Sequence, residues 1–289
     1  MGGFFASGLN EGGEIAFMGG TRPDSKDLKS WVATCFNEFN PVVSDYVPGT
    51  HFKRMYRPLV TQAAMGPGVP VVTMNESVVA LKILLSKLEE LFETVEPSDE
   101  NLQTNGHKIR EVLLLACMEV ESAWTAVLKE NNYKMQPNQK YLTTKDYVKL
   151  AGPMLLDTYS MHLSSYPRLG ELLPFKGWDK DKPTESLLWY AAYNKTKHDR
   201  EGNLHYATLE HAIAAVGAAV AMVYAQFGFN LTPGAYDRND QHIRSVFNTG
   251  MVGMTQYERD FYVPEVSLAG MGPMVVIPTR KWVALDYPF

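Results

Sequence analysis

Cysteine is nearly missing from this chain: Cys35 and Cys117 are the only two in 289 residues. That excludes a disulfide framework and a cysteine-built zinc site, and it fits a reducing cytoplasm. The N-terminus lacks a basic segment leading into an apolar run, so no secretory signal is read there. Met1-Gly2 opens like a myristoylation signal, but Ala6 stands where Ser or Thr is required. An excess of positive charge is missing too. The net charge is −5, which excludes the broad basic coat of a non-specific nucleic-acid binder and leaves room for a local basic site. Spaced metal-ligand motifs are absent: there is no His-Glu-x-x-His and no repeated Glu-x-x-His. His51, His162, His205, His211 and His242 follow no ligand spacing, and Gly202 interrupts any helix that Glu201 and His205 would share. No metal site and no cofactor is expected. A Gly-x-Ser-x-Gly elbow is also lacking, and Gly66-Pro67-Gly68 and Met18-Gly19-Gly20 lack the strand-to-helix setting of a phosphate loop.

What is present is an ordinary globular balance, 45% hydrophobic and 20% charged, in a chain long enough to bury a sizeable core. Residues 1–73 are rich in Gly, Pro and aromatics and read as an irregular arm with short strands such as Pro70 to Thr73. Asn75 reads as the N-cap of an amphipathic helix carrying Val78, Leu81, Leu84, Leu85, Leu88, Leu91 and Phe92 at helical spacing, ended by Pro97. Lys82, Lys87, Glu89 and Glu93 form its wet face. A second helix is predicted over about 106–129, with Ile109, Val112, Leu113, Ala116, Val120, Ala123, Trp124 and Val127 on one face. Thr144 caps a short helix through Leu150. The alternating LLDTYSMHLSSYP and the aromatic LLPFKGW then predict a hairpin or extended insertion over 152–182. Pro183 or Thr184 opens a helix around Trp189 that Gly202 breaks, and a fourth helix runs from about Tyr206 to Phe227. The run AIAAVGAAVAMVYAQFGF, 212–229, approaches the length of a membrane span, but its small residues read as a buried helix, and no membrane association is expected. Residues 229–289 read as a non-helical tail. With no repeat and no low-complexity linker, the fold class is mainly α. One domain, 1–289, is expected: an up-down bundle of about four helices over 74–228, with a β-like insertion and extended N- and C-terminal arms.

The densest chemistry lies in WYAAYNKTKHDR, 189–200. Asn194 and His198 are four apart, so they share one helix face, bordered by Tyr190 and Lys197 and followed by Asp199 and Arg200. An imidazole beside an amide, a phenol and cations can move protons near neutral pH and hold an anion. The same residues also suit a plain helix end, where Lys197 and Arg200 complement the macrodipole. Arg110 and Glu111 read as a solvated helix face.

Two segments, HKIREVLLLACMEVESAW (107–124) and WYAAYNKTKHDR with the Ala-rich helix behind it, resemble the HEPN superfamily (higher eukaryotes and prokaryotes nucleotide-binding domain), in particular its uncharacterised bacterial members. The resemblance covers about the middle half of the chain. It implies a homodimeric, metal-independent ribonuclease of the bacterial cytoplasm, acting in defence or stress. It puts His198 at the catalytic histidine, Asn194 at the polar position and Glu119 at an acidic helper on the preceding long helix. Lys197 and Arg200 would hold the anion, with Tyr190, Tyr193 and Asp199 around the substrate. A base would take the ribose 2′-hydroxyl proton, the oxygen would attack the adjacent phosphate, and an acid would protonate the leaving 5′-oxygen. DNA, lacking that hydroxyl, would be refused. Tyr193 departs from the pattern: the family places an Arg there, and a phenol cannot neutralise phosphorane charge. The departure keeps a second expectation open, a catalytically inactive HEPN-like module for RNA or nucleotide binding or for dimerisation. Under that alternative, His198 and Glu119 would form a structural pair.

Overall fold

The computed structural model describes residues 4–9, 15–20, 50–55, 71–229, 238–252 and 283–286. The chain divides into two units, each discontinuous in sequence. One comprises Met1–His51, Pro58–Met65 and Met254–Val283; the other comprises Phe52–Arg57, Gly66–Gly253 and Ala284–Phe289. Within the first unit, β1 (Phe4–Leu9) pairs antiparallel with β2 (Ile15–Gly20), Phe4 opposite Gly20 and Leu9 opposite Ile15. The N-terminal arm thus holds short strands, in a regular pair and well before the expected 70–73.

The second unit is mainly helical. It contains α1 (Val71–Phe92), α2 (His107–Glu130), α3 (Thr144–Tyr147), β3 (Tyr159–Leu163), α4 (Leu188–His198), α5 (Arg200–Asn203), α6 (Leu209–Phe227), α7 (Arg238–Val246) and β4 (Phe247–Met251). Helix α1 begins one turn before Asn75, which is exposed in its interior, so 71–73 is helical and not strand. The reason is Met74: it is buried and opens the stripe Met74, Val78, Leu81, Leu85 at helical spacing. The helix stops at Phe92 in a tight turn, where Thr94 and Val95 both donate to the Leu91 carbonyl, before Pro97 is reached. Helix α2 follows the expected span and buries Ile109, Val112, Leu113, Ala116, Cys117, Val120, Trp124, Val127 and Leu128. The cap of α3 is Thr143, one residue before Thr144, because Asp146 Oδ2 reaches back to accept from Thr143 N–H at 2.8 Å in a capping box.

Helices α1, α2 and α6 pack against one another, and α4 packs on both α2 and α6. Helix α6 is the innermost: Leu209, Ala212 to Ala225 and Phe227 are all buried. It is long and apolar enough to cross a membrane, yet 89% of its apolar window is covered by protein. Its small residues explain this, since neighbours close on it without side chains intervening. Asn131 at the end of α2 fastens the segment 52–55 by accepting from Lys53 N–H (3.1 Å) and donating to Lys53 O (2.8 Å).

The insertion, expected as a hairpin or an extended segment, contains an extended strand and no regular hairpin of its own. Strand β3 pairs antiparallel with β4 from beyond α6, Tyr159 opposite Met251 and Leu163 opposite Phe247. It meets its own insertion at a single bridge, Met161 with Leu172. The segment after 229 is likewise not wholly non-helical: α7 packs on α1, with His242 Nε2 at 2.9 Å from Glu89 Oε2, and leads directly into β4.

Gly217 of α6 lies beneath the Met161–Leu172 bridge. A Cβ there would meet Met161 Sδ at 2.7 Å and Leu172 Cδ2 at 2.9 Å. Gly217→Val is expected to destabilise by about 2 kcal/mol, since its branched methyls overpack the seam. Urea unfolding checks this as a lower midpoint at unchanged slope.

Candidate functional site

Helix α4 starts at Leu188, behind Leu187, and not at Pro183 or Thr184. It ends at His198, one residue before Asp199, whose carboxylate accepts from Gly202 N–H at 3.1 Å and opens the short α5. The break therefore comes at Asp199, and Gly202 lies inside the next turn. The helix buries Trp189, Tyr190, Ala192, Tyr193 and Thr196, while Lys195, Lys197, His198, Asp199 and Arg200 are exposed.

The dominant interaction is a clamp between α4 and α2. Tyr190 Oη and Tyr193 Oη both donate to the half-buried Glu121 carboxylate, the first to Oε1 and the second to Oε2 at 3.2 Å. Lys197 Nζ in turn donates to Tyr193 Oη at 2.8 Å and rides over that ring. Ammonium, phenol and carboxylate thus form one chain across two helices. Burial is the main force raising both phenol pKa values; the hydrogen bond to Glu121 adds to it for Tyr190, and the Glu121 charge for Tyr193. Cys117, one turn before Glu121, is fully buried, and that burial pushes its thiol pKa well up, with the Glu121 charge adding to the rise. It is not poised as a nucleophile.

Glu121, and not Glu119, is the carboxylate that meets α4. Two residues apart on a helix means about 200° of rotation, so the two point to opposite sides. Glu119 is exposed and lines a separate groove between α1, α2 and α6 with Glu76, Ser77, Ser122 and Arg54. The acidic helper expected at Glu119 is therefore not beside α4, and Glu119 and His198 are not brought together. A signal for Glu121 was present in the spacing. It stands four after Cys117 and three before Trp124, both fully buried, which places it on the inward face.

Asn194 and His198 do share a face. Asn194 Nδ2 donates to the Tyr190 carbonyl at 3.0 Å, which ties that amide to its own helix. The His198 imidazole is exposed and has no hydrogen-bond partner among the described residues. Lys195 Nζ lies 3.8 Å over the Tyr206 ring. Arg110 is not a solvated side chain: it is half-buried and donates to the Thr196 carbonyl from Nε (3.2 Å) and Nη2 (2.8 Å). Glu111 does stay exposed, paired with Lys87 at 2.7 Å. Among the described residues, no group of three or more His, Cys, Asp or Glu is arranged to hold a metal ion.

No family model, curated protein or solved structure matches this chain.

The clamp makes Glu121 a stability residue and Glu119 a dispensable one. Glu121→Ala leaves two buried hydroxyls without an acceptor and is expected to cost about 3 kcal/mol, while Glu119→Ala changes stability by less than about 0.5 kcal/mol. Chemical denaturation of the two variants reads the difference. The raised phenols also set a sign with pH. Above about pH 10 the unfolded chain loses these phenol protons while the folded chain keeps them, so stability is full below that pH and falls as pH rises. Each phenol contributes a slope of about 1.4 kcal/mol per pH unit. Urea midpoints from about pH 8 to 11, spanning the ordinary phenol pKa, should decline less steeply in the Tyr190→Phe/Tyr193→Phe double variant than in wild type.

Proposed function

We propose that this chain is a HEPN-like domain that binds RNA at the exposed end of α4 without cleaving it, as a homodimer in the bacterial cytoplasm. In this reading α1, α2, α4 and α6 form an up-down bundle. The contacts of α4 with α2 support it: Glu121, late in α2, meets Tyr190 and Tyr193, while Arg110, early in α2, meets Thr196, so the two helices run antiparallel. The observation that carries the non-cleaving form is the fate of position 193. Where the family has a cationic Arg, Tyr193 is 1% exposed and its hydroxyl is committed to Glu121 and Lys197. A neutral phenol held in that way offers no charge to a pentavalent phosphate.

One observation favours the second reading, a metal-independent ribonuclease. His198 is exposed and unengaged beside Asn194, as a proton-transferring imidazole must be before substrate arrives. In that form two His198 side chains of a dimer would share the base and acid steps of 2′-hydroxyl attack. The chain offers Lys197 and Arg200 as cations near them, and Glu119 stands too far round α2 to take part.

Incubation of purified protein with a mixed cellular RNA pool in EDTA, alongside His198→Ala, separates the two. The expected result is retention of RNA by wild type, weaker retention by the variant and no new cleavage products from either. Cutting by wild type that His198→Ala abolishes would establish the ribonuclease instead. A folded dimer that neither retains nor cuts RNA removes both readings.

A further inference from the structure

The end of α4 gathers more positive charge than its own helix supplies. Arg110, in the first turn of α2, delivers its guanidinium to the Thr196 carbonyl, one residue before Lys197 and two before His198. A guanidinium carries five N–H groups in a rigid plane, and only Nε–H and one Nη2–H are used on that oxygen. Arg110 has no carboxylate partner among the described residues. Half-buried and anchored to a backbone carbonyl, its head is held in place before any ligand comes.

Two of the acidic groups nearby, Glu121 and Asp199, are committed to other partners. Glu121 is occupied by Tyr190 and Tyr193. The Asp199 carboxylate accepts from Gly202 N–H and from Asn203 Nδ2 at 3.3 Å. Glu201 is exposed one residue beyond Arg200. The end of α4 therefore carries an exposed ammonium at Lys197 and an exposed imidazole at His198, and at the Thr196 carbonyl it holds the Arg110 guanidinium, whose remaining N–H groups have no partner among the described residues. Planar paired donors match two oxygens of a phosphate.

We infer that Arg110, reaching across from α2, supplies a phosphate-binding guanidinium at the end of α4, where position 193 carries none, and that it takes a backbone phosphate of RNA there. This rests on the RNA reading above and adds a residue to it. Arg110 is a binding residue in this account, with its position set by the Thr196 carbonyl.

Three arms test it on the full chain. Arg110→Gln keeps an amide that can donate to the Thr196 carbonyl but removes the charge. Its affinity for a single-stranded RNA oligonucleotide should fall about tenfold. Its slope of log affinity against log salt should shrink by about 0.7, the loss of one phosphate contact. Arg110→Lys, which keeps the charge, should retain the slope. In the third arm, 15N-labelled wild type is titrated with inorganic phosphate, and the Arg110 side-chain Nε–H resonance should move. RNA binding with an unchanged slope in Arg110→Gln overturns the assignment and leaves the RNA reading standing. Should that variant fail to fold, an Arg110 resonance that does not respond to the RNA oligonucleotide or to phosphate overturns it equally. Movement with phosphate but no RNA binding keeps the anion site and removes the RNA reading. Silence in every arm removes both.

Discussion

The helical unit is organised around one buried ring. Trp124 is wholly enclosed, and around it stand Trp178 (ring centroids 4.8 Å apart), Tyr147 (5.1 Å), Tyr190 (5.5 Å), Phe175 (6.1 Å) and Trp189 (6.3 Å). These rings come from α3, the insertion and α4, so a single side chain of α2 joins three separate pieces of chain. Two of the rings find acceptors at the rim: Trp178 donates to Pro183 O, just before α4, and Trp189 donates to Pro174 O in the insertion. Large aromatic faces bury much apolar area and prefer tilted or edge contacts, which makes the cluster both adhesive and directional. With Trp124 in place, α4 cannot slide along α2, and the polar contacts between the two helices have a defined register.

That register decides which groups are structural and which face water. Glu121, one turn before Trp124 on the same helix, lies beside the ring cluster and receives Tyr190 and Tyr193. The phenols are thereby taken out of the reactive inventory. One turn toward the end of α4, burial gives way to exposure at Lys197, His198 and Arg200, and Arg110 arrives from the start of α2. The two ends of the same helix pair thus differ in kind. One is a hydrogen-bonded clamp, and the other is an accessible cluster of cations and imidazole.

Much of this was legible without coordinates. The long apolar periods of α1, α2 and α6 marked them as helices, because burial of one face imposes a 3.6-residue rhythm on the sequence. The i, i+4 relation of Asn194 and His198 followed from helix geometry alone. Other features left no such trace. Strand β3 has its partner in β4, beyond the whole length of α4 and α6, and no local pattern encodes so distant a pairing. Helix α7 is short and polar, so its apolar rhythm is too brief to stand out from its surroundings. The start of α1 was displaced by a turn because Asn75 resembles a cap, while the burial of Met74 outweighs that local preference.

Composition and local spacing were enough for the mainly helical class, the lack of a disulfide framework and the location of the polar helix end, since each is a property of the whole chain or of a single element. Packing between elements selected the glutamate that meets α4, the place where Arg110 delivers its guanidinium and the role of Tyr193. The difference is geometric. Neighbouring residues on a helix point in widely different directions, so a shift of two positions exchanges an inward carboxylate for an exposed one. Which of the two faces α4 depends on how α2 is turned against it, and that rotation is written in contacts made far apart in the chain.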